Sequence, residues 1–164
     1  MDLGLVSVVE VESFGEPGQR TFRVVARTAE GQVSLWLEKE QVVMLGSAIT
    51  ELLERVPTQQ GNEPTSRQSS RFVGELEVKV GSLSIGYNAG DDGFTLEAGE
   101  FASPFDLTNI SLLASRDHLV RMEEQIEEIV AASRPRCPLC GTPLTGGPHF
   151  CPESNGHAPV SGTE

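Results

Sequence analysis

The one strong chemical signal in this chain lies toward its C-terminal end. In the segment RPRCPLCGTPLTGGPHFCPESNGH, Cys137 and Cys140 have the spacing at which a tight turn aims two thiolates at one ion, and Gly141 behind them permits close backbone approach to the sulfurs. Pro138 fixes one φ of that turn. Ten residues separate Cys140 from Cys151, and five separate Cys151 from His157, which follows Asn155-Gly156. Four soft or borderline ligands in two knuckles are what tetrahedral Zn2+ requires. His157 is the preferred fourth ligand, because a Cys-x5-His loop through Asn-Gly can fold back as a second knuckle. His149 is the alternative, since alternate positions of an extended strand point the same way and it lies two residues before Cys151. With four ligands close in sequence and no general base beside them, the expected ion is structural: a catalytic zinc keeps a position open for water.

Elsewhere the supply of reactive groups is thin. His118 is the one histidine outside the segment and falls in the first turn of an expected helix, where a capping or surface role is the ordinary one. The chain lacks a Gly-x-Ser-x-Gly elbow and a phosphate-cradling Gly-Lys-Thr loop, and Gly15-Glu16-Pro17-Gly18 reads as a turn. Asp91 and Asp92 read as a hairpin turn, because the acidic register of a calcium loop is missing. Arg20 and Glu38 to Gln41 sit at element ends, with surface ion pairing and helix-dipole contacts as their expected roles.

Composition narrows the function classes. The 164 residues carry 24 acidic and 12 basic side chains, a formal net charge of -12, which disfavours nucleic acid and anionic membranes as partners. No segment has the length of apolar residues needed to span a bilayer, and Asp2 stands where a signal peptide would need positive charge. Three clustered cysteines in an otherwise Cys-free chain suit a reducing compartment, so a cytoplasmic location is expected.

The elements that must position the cysteines follow from periodicity. Val6 to Val11, Phe22 to Ala26 and Val33 to Leu37 carry strand patterns. From Glu40 the period changes: Val42, Leu45, Ile49, Leu52 and Val56 mark an amphipathic helix stopped by Pro57. Residues 58–70 read as a mobile loop. Leu76, Val78 and Val80 then alternate with Glu75, Glu77 and Lys79, and Gly81-Ser82 reads as a two-residue hairpin turn into Leu83, Ile85 and Tyr87. Phe94, Leu96 and Ala98 form a further strand, Phe101 to Asn109 a connection, and Ser115 caps a second helix with its stripe at Leu119, Met122, Ile126 and Ile129 or Val130. The expected fold is α+β, an antiparallel sheet of about six strands packed by two helices. It occupies residues 1–133, followed by a zinc-ribbon-like segment at 134–157 and a disordered tail at 158–164. Each half offers strands and then one helix.

The pieces FGEPGQRTFRV, LWLEKEQVVMLGSAITELL, FVGELEV with IGYN, and RPRCPLCGTPL with HFCPESNGH together resemble the bacterial domain-of-unknown-function family 3090, from about Phe14 to His157. The resemblance implies no activity. It implies a Gly-His ahead of the third cysteine, where this chain has Pro148 but keeps His149, and often a Tyr in place of His157, which strengthens His149 as ligand. It also implies genes beside a phosphomutase-like histidine phosphatase and a lipid-kinase-like protein. Three functions follow in order. The first is a non-catalytic zinc-binding module that engages a protein partner. The alternative is an enzyme or small-ligand-binding domain linked to phosphate metabolism. The third, nucleic-acid binding through the ribbon, has only Arg134, Arg136 and Phe150 to offer.

Overall fold

In the computed structural model, residues 1–17, 19–57, 72–100, 109–133, 136–144, 149–154 and 159–160 are described. The mobile loop expected at 58–70 lies outside them, as do 101–108 of the expected connection and most of the expected tail. The chain runs β1 (Asp2–Leu5), β2 (Val8–Phe14), β3 (Thr21–Arg27), β4 (Gly31–Leu37), α1 (Lys39–Arg55), β5 (Gly74–Asn88), β6 (Gly93–Glu100), β7 (Asn109–Ala114) and α2 (Arg116–Ala132). Two short strands, β8 (His149–Phe150) and β9 (Pro159–Val160), form a separate ribbon. The α+β class stands, with a mostly antiparallel sheet of seven strands in the order β1-β7-β6-β5-β4-β3-β2. None of the described helices is long and apolar enough to cross a membrane.

Two features correct the sequence reading. Gly81-Ser82 is not a hairpin turn: β5 runs unbroken from Gly74 to Asn88, with a register shift between Val80 and Ser82. A bulge adds one residue and flips the pleat, so the inward set changes from Leu76, Val78 and Val80 to Leu83, Ile85 and Tyr87. That flip, at a Gly-Ser pair, imitates two strands joined by a turn. The sheet is also not wholly antiparallel, because β4 pairs with the first half of β5 in parallel and β1 pairs with β7 in parallel. Helix α1 supplies the crossover that the first of these needs.

The outer strands β1 and β2 are consecutive pieces of one run. The Val6 N–H donates to Leu113 in β7, and the next residue, Ser7, donates to Arg27 of β3. The sheet therefore curls until its edges meet at Val6 and Ser7. The run from Asp2 to Phe14 and strand β5 play the same part: each pairs in parallel along its first stretch, shifts, and pairs antiparallel along its second. Each is followed by two more strands and a 17-residue helix. Corresponding core positions can be matched through the strand register, Phe22 opposite Leu37 in one half and Phe94 opposite Ala114 in the other.

One apolar cluster joins the inward sheet face to a stripe on each helix, including Phe22, Leu35, Val78, Leu96 and Leu112 with Leu45, Ile49, Leu119, Met122 and Ile126. The helices approach closely where Gly46 has no side chain: a Cβ there would lie 2.8 Å from Ile126 Cγ2. Arg116, at the start of α2, donates to the carbonyls of Val56 (2.8 Å) and Leu53 (2.6 Å), closing the negative end of α1 with a guanidinium. On the outward face Arg23 pairs with Glu12 and its guanidinium lies 4.9 Å from the Phe14 ring and 5.2 Å from that of Trp36.

Candidate metal centre

The cysteine segment is built by local turns. Cys137 N–H donates to Thr142 O and Gly141 N–H to Cys137 O, both at 2.9 Å, so the chain between the two cysteines is wound back on itself. Gly141 makes this possible with a φ of +71°, the left-handed region that favours glycine. An antiparallel bridge between Arg136 and Pro143 closes the knuckle, and the Arg136 guanidinium donates to Gly141 O at 3.3 Å. Cys151 follows β8 and precedes a single 3-10 turn at Pro152–Ser154. The β8 strand pairs with β9, so Pro159 and Val160, placed in the tail by the sequence, close a small ribbon around this end.

These turns gather Cys137, Cys140, His149 and Cys151, whose ligand atoms all lie within 4.8 Å of one another. Cys137 and Cys151 are buried with sulfurs 3.7 Å apart, far beyond the roughly 2.05 Å of a disulfide, and none of the three cysteines is in a disulfide. Cys140 Sγ lies 3.2 Å from His149 Nε2 and 3.3 Å from the Thr142 hydroxyl. The three cysteines form an apolar cluster of their own with Leu144, separate from the main core.

The electrostatics of the sulfurs differ. The hydroxyl of Thr142, and then its backbone, favour the thiolate of Cys140 and bring its pKa down from the usual thiol range to about 6. Burial pushes the Cys151 thiol up, with the neighbouring Cys140 and Cys137 adding to the rise. A preformed thiolate beside buried thiols is an arrangement that a divalent cation stabilises, since coordination removes the protons and compensates the charge. The four residues can hold a metal ion.

The family model described as "Protein of unknown function (DUF3090)" matches residues 2–151, nearly the whole chain and all three cysteines. The chain belongs to this family. No curated protein and no solved structure matches it. Membership in this family carries no activity with it, so function must be argued from the site.

Of the residues singled out by the sequence, His149 comes together with the three cysteines, whereas His157 lies outside the described residues. His118 is spent on structure: its Nδ1 accepts from the Ser115 N–H, the Ser115 hydroxyl accepts from His118 N–H, and Nε2 lies 3.3 Å from Ser7 O. Asp91 and Asp92 bind Asn88 and Tyr87 within their own turn. Glu38 faces Lys79 at 3.6 Å on the surface, and Arg20 Nη1 reaches Ser13 Oγ at 3.5 Å. The contribution of Thr142 was not read from the sequence. Its signal is position, two residues after Cys140, where knuckle geometry turns a hydroxyl and an N–H toward the sulfur.

Proposed function

We propose that Cys137, Cys140, His149 and Cys151 bind one Zn2+ in a closed, structural site, and that the protein is a non-catalytic module that engages a protein partner in the cytoplasm. The observation that carries the metal assignment is the mutual approach of four donor atoms to within 4.8 Å. A tetrahedral zinc bonded at ~2.3 Å to sulfur and ~2.0 Å to nitrogen spaces its sulfurs about 3.8 Å apart and sulfur from nitrogen about 3.5 Å apart. The separations of 3.7 Å for Cys137 and Cys151 and 3.2 Å for Cys140 and His149 fit that figure with little adjustment. Three thiolates and one imidazole favour zinc over hard cations. Four protein ligands leave no position for a reacting water, which argues for scaffolding over catalysis.

A binding role is supported by what the segment displays. Leu139, inside the knuckle, is 57% exposed, and Phe150, beside Cys151, is 77% exposed. Zinc would hold these two apolar side chains in fixed places on the surface of a small unit. Elemental analysis of protein purified without added zinc tests the metal. One equivalent is expected, lost in Cys137→Ser and sharply weakened in His149→Ala but retained in His157→Ala; loss in His157→Ala with retention in His149→Ala would move the fourth ligand to His157.

A further inference from the structure

Among the described residues, the two halves of the sheet each leave one strand edge without a neighbouring strand, and they treat that edge differently. Strand β2 pairs with β3 on one side only, and α2 packs along its other side. There the Val11 N–H, pointing away from β3, donates to Gln125 Oε1 at 2.8 Å. Strand β5 is in the matching position. Its first stretch, Gly74 to Lys79, pairs with β4; from Ser82 to Asn88 it pairs with β6 alone, and no strand lies along the other edge among the described residues. Helix α1 packs against it, and Gln41 Nε2 donates to Val80 O at 3.1 Å.

The equivalence can be followed residue by residue. Leu37 and Ala114 immediately precede the caps Glu38 and Ser115, and they pair with Phe22 and Phe94. Two residues further along those partners, Val24 faces Val11 and Leu96 faces Ile85. Ile85 is thus the counterpart of Val11, and by that register correspondence its N–H faces away from β6 as the Val11 N–H faces away from β3. Gln125 lies ten residues after its cap, and the residue ten after Glu38 is Ala48. Alanine cannot reach the strand. In place of the amide is a groove of about 430 Å3 lined by Met44, Leu45, Ala48, Gly81, Leu83 and Ile85. Met44, on its wall, is 71% exposed.

We infer that this groove between α1 and the second stretch of β5 binds an extended segment of a partner protein, added to β5 as a further strand, with apolar side chains at alternate positions and Lys or Arg flanking them. This rests on the reading of the protein as one that engages a protein partner, and names where and how. The strand edge supplies main-chain donors and acceptors at the spacing of a β-ladder, and a second extended chain satisfies them in series. The other half shows the demand, since Gln125 supplies an amide oxygen where a partner's carbonyl would come here. The apolar lining takes every second side chain of a strand. The flanking charge follows from Glu40 and Glu51, both exposed, which bracket the Met44 and Ala48 stripe at helical spacing, with Glu51 also held by Arg55. The chain's net charge of -12 favours the same sign of partner.

The test uses the full, metal-loaded protein as bait for a phage-displayed library of random dodecapeptides. Selected peptides should alternate apolar residues between basic ones, and should slow amide exchange of Leu83 to Ile85. Ala48→Gln, which installs the residue that plugs the other seam, should weaken them at least about tenfold. Met44→Lys, at an exposed position where folding is not at stake, should weaken them as well, through repulsion of the basic flanks. Gln125→Ala should open a second site along β2. A peptide whose main-chain N–H groups are removed by proline at alternate positions should not bind. Binders unaffected by both Ala48→Gln and Met44→Lys would overturn the groove while leaving a polypeptide-binding protein. A library that yields no binder to the wild type would overturn the groove and count against the binding reading itself.

Discussion

The curled sheet with its helices and the cysteine segment are ordered by different physics. The first buries an apolar cluster that runs through nine of its elements, with Leu35, Val24, Ile49 and Leu119 fully removed from water. The second has one buried leucine, Leu144, and a group of thiols. At roughly 25 cal/mol per Å2 of buried apolar surface, a cluster that small cannot offset the conformational entropy of ordering the segment's described residues. On the proposed reading, coordination to a metal holds the segment instead. Burial is spread over many residues and fails gradually, whereas coordination is concentrated in four and fails at once.

The sharpest way to break this contrast is to remove one ligand. Cys137→Ser should abolish metal retention and leave residues 136–144 and 149–154 without protection from amide exchange, while the thermal transition of the sheet and helices stays within about 1 kcal/mol of wild type. Calorimetry and exchange on the same sample check both halves of the statement. The converse substitution, Leu35→Ala, leaves a cavity in the main cluster. It should destabilise the sheet by about 2–5 kcal/mol in urea unfolding while metal content stays at one equivalent.

How much of this was legible in the residues depended on whether the signal was local. Helices α1 and α2, the cap at Ser115 and the cysteine pair are written in spacings of two to four residues, and the structure has them as expected. The flip of alternation at Gly81 was equally plain but ambiguous, because a bulge in one strand and a turn between two produce the same pattern. Parallel pairing of β4 with β5, and of β1 with β7, left no mark at all, since each joins segments far apart in sequence. The short β1 does not stand out in the sequence: it has four residues, and with Gly4 at a positive φ its burial does not alternate, Leu3 and Gly4 both being buried. Spacing prefers His157 over His149 as the fourth ligand, and His157 lies outside the described residues. Only the fold of the segment brings His149 Nε2 to within 3.2 Å of Cys140 Sγ.

Two smaller effects sharpen the account of how the sheet and helices are joined. Arg116→Ala removes the guanidinium from the carbonyls of Leu53 and Val56, and should cost about 1–3 kcal/mol, read as a lower urea midpoint with an unchanged slope. Gly46→Ala should be destabilising despite the better helix propensity of alanine, by about 1 kcal/mol net. Its Cβ would sit 2.8 Å from Ile126 Cγ2, and the strain of separating the helices outweighs the propensity gain of roughly 0.5–1 kcal/mol. A Gly46→Ala variant more stable than wild type would show that the helices slide freely over one another.

If a metal orders the cysteine segment and burial orders the rest, removing the metal separates the two regions. Amide hydrogen exchange of the purified protein, followed residue by residue before and after a strong zinc chelator, should show protection lost at Cys137, Gly141 and the β8 strand. Leu35, Val78, Leu96 and Leu112 should keep theirs. Protection at Cys137 and Gly141 that survives complete removal of metal, or a collapse of protection throughout the sheet when the metal leaves, would contradict it.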